Sequence, residues 1–265
     1  MHVRLLQVGY DDDESADLRR RRVADQVREQ RGADLVVLPE LWAPTGFGYR
    51  GWTELAEDLH TPGASPTIAA IAEAARQIEA HVHAGSVIER ARDGSLYNTS
   101  VLLGPDGSVL ARYRKIHRFG FGAGEPKLLE AGEEIVTADI EVDGRRVVLG
   151  LATCYDLRFP EQFRRLLDAG AEVVLVPAAW PRARVRHWSL LGRARAVENQ
   201  QVLVAVNTSG THARHEMGGH SQVVDPSGDV LAEAGLDPEV LDVTIDLDVI
   251  DQTRTAFPVL SDRRL

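Results

Sequence analysis

Val147-Val148-Leu149-Gly150-Leu151-Ala152-Thr153-Cys154-Tyr155-Asp156-Leu157-Arg158-Phe159-Pro160-Glu161 is the stretch on which the reading of this chain turns. Apolar and small residues run without interruption into Cys154. Such a run fits a strand covered on both faces. Polar residues and Pro160 then break it, and a helical pattern follows. Cys154 therefore falls where a strand stops and a helix starts. A helix N-terminus lowers a thiol's pKa, and the thiolate is the reactive form, so a nucleophile is expected here. The competing reading is a buried structural cysteine, because free Cys is among the most buried residue types.

Working outward, the same punctuation recurs. Residues 2–8 and 33–38 read as strands and 14–30 and 65–79 as helices, the last opened by Ser65-Pro66. Further strands are expected at 81–88, 97–103 and 108–114, with Asp106-Gly107 turning the last hairpin. A long loop covers 117–132, a second hairpin 135–151, a helix 160–169, a strand 172–176 and a helix 184–200. Strands at 202–207, 220–225, 229–234 and 240–246 complete the pattern, and 248–265 reads as an extended C-terminal tail. Gly32-Ala33-Asp34-Leu35-Val36-Val37-Leu38-Pro39 is echoed by Gly170-Ala171-Glu172-Val173-Val174-Leu175-Val176-Pro177. Two similar helix–strand units suggest pseudo-symmetric halves. Hairpins mixed with such units imply an α/β fold of layered sheets covered by helices.

The 265 residues are 44% hydrophobic, enough for one large core, and a single domain over 1–265 is expected. A net charge of −10 disfavours nucleic acid as a partner. Arg19-Arg20-Arg21-Arg22 is offset by Asp11, Asp12, Asp13 and Glu14 and reads as a solvated helix face. The N-terminus shows no apolar stretch with a cleavage site, and no apolar run approaches the length of a membrane span. One cysteine forbids an internal disulfide and suits a reducing compartment, so a cytoplasmic protein with no membrane partner is expected.

Three segments share one layout: an apolar strand whose C-terminal end delivers a reactive side chain. Leu35–Pro39 delivers Glu40, Val109–Arg114 delivers Lys115, and Leu149–Thr153 delivers Cys154. Strand ends are where layered α/β folds build their sites. Lys115 and Lys127 are the only lysines in an arginine-rich chain, which marks position 115 as one that needs an amine. Carboxylate, amine and thiol form a coherent set. The thiolate attacks an acyl carbon, the carboxylate moves protons, and the ammonium holds the oxyanion. His212, His215 and His220 match no strong zinc pattern, so no metal is expected. His81 and His83 share a strand face and read as packed or solvated. The glycines of Phe119–Gly124 lack a following Lys-Ser or Lys-Thr, so no phosphate cradle is expected.

Pro39-Glu40-Leu41, Tyr113-Arg114-Lys115-Ile116-His117 and Cys154-Tyr155-Asp156-Leu157-Arg158-Phe159-Pro160-Glu161 resemble the three signature blocks of the carbon–nitrogen hydrolase (nitrilase) superfamily. The resemblance runs from about residue 3 to 246. The form after Cys154 looks like the amidase branch, especially omega-amidases. Ala178-Ala179-Trp180-Pro181 and Arg195-Ala196-Val197-Glu198-Asn199-Gln200 strengthen the match. The resemblance implies a four-layer α-β-β-α sandwich, a homodimer paired through a helical face, and no cofactor. It implies hydrolysis of the C–N bond of a small, carboxylate-bearing amide through a cysteine thioester, releasing ammonia and an acid. Cys154 would be the nucleophile and Glu40 the general base. Lys115 and the Tyr155 N–H would hold the oxyanion. Glu125 and Glu130 both compete to be a second active-site glutamate, and counting back from Gly132 favours Glu125. His117-Arg118-Phe119 departs from the family's His-Leu-Phe.

Arg158 suits a substrate carboxylate, against the alternative of a salt bridge to Asp156 or Glu161. Trp180 and Phe121 are candidate pocket walls, or else ordinary core aromatics. The alternatives in function are a nitrilase or N-carbamoyl amidohydrolase on the same fold, and a non-catalytic small-molecule-binding protein. The C-terminal tail either crosses to a partner or wraps its own subunit.

Overall fold

The computed structural model describes residues 1–264. Its strands are β1 (His2–Gln7), β2 (Leu35–Val37), β3 (His81–Arg90), β4 (Leu96–Leu103), β5 (Val109–Arg114), β6 (Thr137–Val142) and β7 (Arg145–Leu151). They continue as β8 (Val173–Pro177), β9 (Val202–Val206), β10 (Thr211–His212), β11 (His215–Glu216), β12 (Gln222–Val224), β13 (Val230–Glu233) and β14 (Glu239–Thr244). The helices are α1 (Ala16–Arg28), α2 (Pro66–Ile78), α3 (Glu125–Leu128), α4 (Pro160–Asp168), α5 (Val185–Asn199) and α6 (Asp248–Ala256).

Two six-stranded sheets carry the fold, in the orders β14-β1-β2-β3-β4-β5 and β13-β12-β9-β8-β7-β6. β10 and β11 form a separate two-stranded ribbon. The echoed segments occupy equivalent places. β2 runs parallel to β1 and β3, and β8 runs parallel to β7 and β9.

Period-two alternation sorts their side chains into layers. Leu35 and Val37 of β2 meet Val173 and Leu175 of β8 in one core between the sheets. Val36 turns outward to the core under α1 and α2, and Val174 and Val176 turn to the core that holds Trp188 of α5. Both faces of each sheet are thereby buried, which is why these strands read as unbroken apolar runs. The layer order is α-β-β-α.

Two expected stretches differ. Residues 248–265 do not form an extended tail: α6 spans Asp248–Ala256, and a 3₁₀ turn follows at Val259–Asp262. Asp248 and Asp251 lie in the helix's first turn, where its dipole favours them, and Ile250 anchors it in the inter-sheet core. The segment packs on its own chain: Arg254 Nε donates to the Gln200 carbonyl at 3.2 Å and Arg263 pairs with Asp168 at 2.6 Å. The last residue of the predicted tail, Leu265, lies outside the described residues. The loop 117–132 contains the short helix α3, begun by Glu125-Pro126. Among the described residues no helix is long and apolar enough to cross a membrane.

Candidate active site

The C-terminal ends of β2, β5, β7 and β8 converge where the two sheets meet, and each end is fixed by local backbone chemistry. After β2, the Pro39 carbonyl lies against Gly85, where a Cβ would stand 1.9 Å from that oxygen. Gly85 also has φ +69° within an irregularity in β3, so glycine is required twice over. Ser86 Oγ accepts the Leu41 N–H at 3.1 Å, and Trp42 Nε1 donates to the Ala84 carbonyl at 2.9 Å. Glu40 is held between these anchors. After β5, the Lys115 N–H donates to the Asn98 carbonyl at 2.8 Å, and the Lys115 carbonyl accepts the Gly132 N–H at 2.9 Å. A Cβ on Gly132 would lie 2.1 Å from the Arg114 carbonyl oxygen. After β7, Cys154 adopts φ +48°, a left-handed conformation that strands and helices do not supply. It opens the 3₁₀ turn Cys154–Arg158.

These ends bring Glu40, Lys115, Glu125 and Cys154 to one pocket. Lys115 Nζ donates to Glu40 Oε1 at 2.8 Å and to Glu125 Oε1 and Oε2 at 3.0 and 2.9 Å. The Ala179 N–H, from the end of β8, donates to Glu40 Oε2 at 2.9 Å. Glu40, Lys115 and Glu125 are each no more than 3% exposed. Buried charges at this depth persist only when paired and hydrogen-bonded, which they are. Glu130 is exposed.

Electrostatics follow from burial. Burial alone lowers the Lys115 ammonium, but Glu125 and Glu40 outweigh it and hold Lys115 well above the usual lysine range. Burial raises the Glu125 carboxyl; Lys115 pulls it down and Glu40 pushes it up again, with a net upward shift. Burial and the adjacent Glu40 carboxylate push the Cys154 thiol well above its ordinary value, and Lys115 offsets them only in part. The thiol is thus a resting thiol, not the thiolate that a helix N-terminus predicts. A single 3₁₀ turn carries too small a dipole to compete with desolvation beside a carboxylate.

Of the remaining predicted residues, Tyr155, Arg158 and Trp180 line the pocket, whereas Phe121 does not. Phe121 is 82% exposed and meets only the edge of Phe119, which is the ring that reaches the pocket. Arg158 forms no bridge to Asp156. Its guanidinium lies 4.6 Å from the Trp180 ring centroid. Asp156 is instead committed to Tyr113, His117 and the Thr153 N–H.

Phe47, Tyr49, Arg184 and Asn98 escape the sequence reading. The first three also line the pocket. Asn98 Nδ2 donates to Glu40 Oε1 at 2.8 Å and to Glu125 Oε1 at 2.9 Å, while its carbonyl holds the Lys115 backbone. The signal was an amide in Leu96–Leu103, a strand otherwise built to be buried.

Among the described residues no group of three His, Cys, Asp or Glu side chains is placed to hold a metal ion. His212 is buried against Tyr10 and Phe47, and His220 pairs with Glu233 at 2.8 Å. His83 is buried, with neither ring nitrogen hydrogen-bonded.

The carbon–nitrogen hydrolase family profile matches residues 5–255. A 2-oxoglutaramate amidase of Paenarthrobacter nicotinovorans is 44% identical over 267 residues, covering 100% of this chain and 90% of that protein. Omega-amidase NIT2 of Mus musculus is 35% identical over 254 residues, covering 92% of this chain and 88% of its own. Among solved structures, Saccharomyces cerevisiae Nit3, a nitrilase-superfamily protein, superposes with a TM-score of 0.88 at 28% identity, covering 100% of this chain and 97% of that one. A mutant of the amidase from Nesterenkonia sp. AN1 superposes with a TM-score of 0.80 at 26% identity, covering 98% of this chain and 99% of that one. In that amidase, acrylamide has undergone Michael addition at the active-site cysteine.

Proposed function

Since this chain belongs to the carbon–nitrogen hydrolase family and is an amidase, we propose that it hydrolyses the ω-amide of a small 2-oxo acid, with 2-oxoglutaramate as the model substrate, through a thioester on Cys154. The observation that carries the assignment of roles is Lys115 Nζ held between Glu40 and Glu125 in the pocket that contains the Cys154 thiol.

The chemistry runs in two halves. Glu40 takes the thiol proton as Sγ bonds to the amide carbonyl carbon, and the carbonyl π pair moves onto oxygen. A resting thiol beside a carboxylate suits this coupled transfer, because the proton has an acceptor within the pocket. The Lys115 ammonium and the Tyr155 N–H stabilise the oxyanion. The amide nitrogen accepts the proton from Glu40, the C–N bond breaks, and ammonia departs. Water then attacks the thioester carbon and gives its proton to Glu40. The C–S bond breaks, the sulfur regains a proton, and the acid is released. Glu125 fixes the Lys115 ammonium from the other side. Arg158, stacked on Trp180, receives the carboxylate at the substrate's far end.

Steady-state release of ammonia and 2-oxoglutarate tests the assignment. The parent is expected to form both in equal amounts, and Cys154→Ala neither. Turnover of nitriles or N-carbamoyl compounds with inert amides would replace this reading with the sister activity.

A further inference from the structure

Arg158 and Arg184 reach the same pocket from different elements. Arg158 closes the turn that begins at Cys154, and Arg184 ends the 3₁₀ turn Arg182–Arg184 ahead of α5. Both guanidinium groups lie against aromatic walls. Arg158 is 4.6 Å from the Trp180 ring centroid, and Arg184 is 5.5 Å from that of Phe119. The backbone of Arg184 is itself pinned, because Trp180 Nε1 donates to its carbonyl at 2.8 Å. Among the described residues neither side chain has a carboxylate partner. The polar contact of Arg158 is His187 Nδ1, at 3.4 Å. Nearby acids are committed elsewhere: Glu216 pairs with Arg182, and Asp156 with Tyr113 and His117. The pocket's own carboxylates, Glu40 and Glu125, are bound to Lys115. The chain carries a net charge of −10, yet two unneutralised cations share this one pocket. Burial lowers the Arg158 pKa, and repulsion from Arg184 adds to that.

Building on the amidase reading above, we propose that Arg184 is a second specificity-determining residue: with Arg158 it grips the carboxylate end of the substrate and rejects an ω-amide that bears an α-ammonium. Guanidinium forks suit carboxylate oxygens and the adjacent 2-oxo oxygen, both of them acceptors. An α-ammonium would enter the same field as a like charge, with no free carboxylate to receive it. The pocket would thus favour the 2-oxo acid amide over glutamine, although the two share the same scissile group and chain length.

The test compares kcat/KM of the parent, Arg184→Gln and Arg184→Lys on 2-oxoglutaramate, glutamine and butanamide. Arg184→Gln is expected to lower kcat/KM for 2-oxoglutaramate by about 10- to 100-fold, the usual worth of a charge-assisted hydrogen bond. The loss should lie mainly in KM and should exceed the loss on butanamide at least tenfold, by the same measure. The preference for 2-oxoglutaramate over glutamine is expected to narrow in Arg184→Gln and to be partly kept in Arg184→Lys. Preference ratios in Arg184→Gln equal to the parent's, or an equal loss on all three amides in kcat alone, would overturn the role of Arg184 and leave the amidase reading standing. A parent that turns over butanamide but neither charged amide would overturn this role together with the choice of a 2-oxo acid amide as substrate. A parent that turns over none of the three would overturn the role and the amidase reading alike.

Discussion

The Tyr113 hydroxyl donates to the Asp156 carboxylate at 2.6 Å in a position closed to solvent, and this contact ties one sheet to the other. Tyr113 belongs to β5, whose end presents Lys115. Asp156 belongs to the turn that presents Cys154. The same carboxylate accepts the His117 N–H at 3.0 Å and the Thr153 N–H at 2.8 Å. One buried acid thereby fixes the separation of the amine and the thiol.

Removing that anchor should damage both stability and rate. Asp156→Ala strands several buried donors and is expected to cost about 3–5 kcal/mol, the range for breaking a buried charged network. Tyr113→Phe removes the hydroxyl that donates to Asp156 and accepts from the Ile116 N–H and Gln162 Nε2, and should cost about 1.5–3 kcal/mol. Urea unfolding checks both, read as midpoint shifts with m unchanged. Equal stability of Asp156→Ala and the parent would show that the two loops are fixed by something else.

Glu40→Gln keeps the shape of the side chain and removes the base. A fall in kcat of about 10²–10⁴-fold is expected for loss of a general base. The fold should survive, because the amide oxygen still accepts from Lys115 or Ala179. Circular dichroism alongside the kinetics separates the two effects. A Glu40→Gln protein with parental kcat would remove Glu40 from the chemistry.

Lys115→Met removes the cation between two buried carboxylates. The variant is expected to lose about 3–5 kcal/mol of stability as well as activity, since it leaves buried charge uncompensated. Pairing it with Glu125→Gln should recover part of the stability without the activity. Additive losses in the double variant would mean that the two side chains are not energetically coupled.

Much of this site was legible because its reactive side chains sit where the architecture ends its strands. Glu40 and Cys154 follow stretches buried on both faces, which announce themselves as unbroken apolar runs, whereas Lys115 follows β5, an edge strand with Val109 and Leu110 exposed. The echo between residues 32–39 and 170–177 marked the centres of the two sheets. Phe121 was misplaced because sequence cannot say which of two nearby aromatics a glycine-rich loop turns inward, and the loop selects Phe119. The helix α6 was hidden by a short segment whose apolar anchor, Ile250, has few periodic companions. Arg184 sits in Arg182-Ala183-Arg184-Val185-Arg186, which reads as a solvated basic run until the fold turns one member inward.

Stability should fall in acid for a reason that sequence could not supply. Burial lowers His83 to about 3 and His212 to about 4, both from 6.5. The unfolded chain therefore binds protons below pH ~6.5 that the folded chain refuses, so stability is complete above that pH and is lost as pH falls toward the folded values. Each histidine contributes a slope of up to about 1.4 kcal/mol per pH unit across its window. His83→Val should flatten the curve of unfolding free energy between about pH 6 and 4 relative to the parent. Parallel curves would place the acid sensitivity elsewhere.

Rapid-quench intact-mass analysis during turnover of 2-oxoglutaramate addresses the thioester directly. A species heavier than the free enzyme by the substrate less ammonia should accumulate in the first turnover, and peptide mapping should place the added mass on Cys154. Full turnover with no such species, together with undiminished rates in Cys154→Ala, would contradict the account.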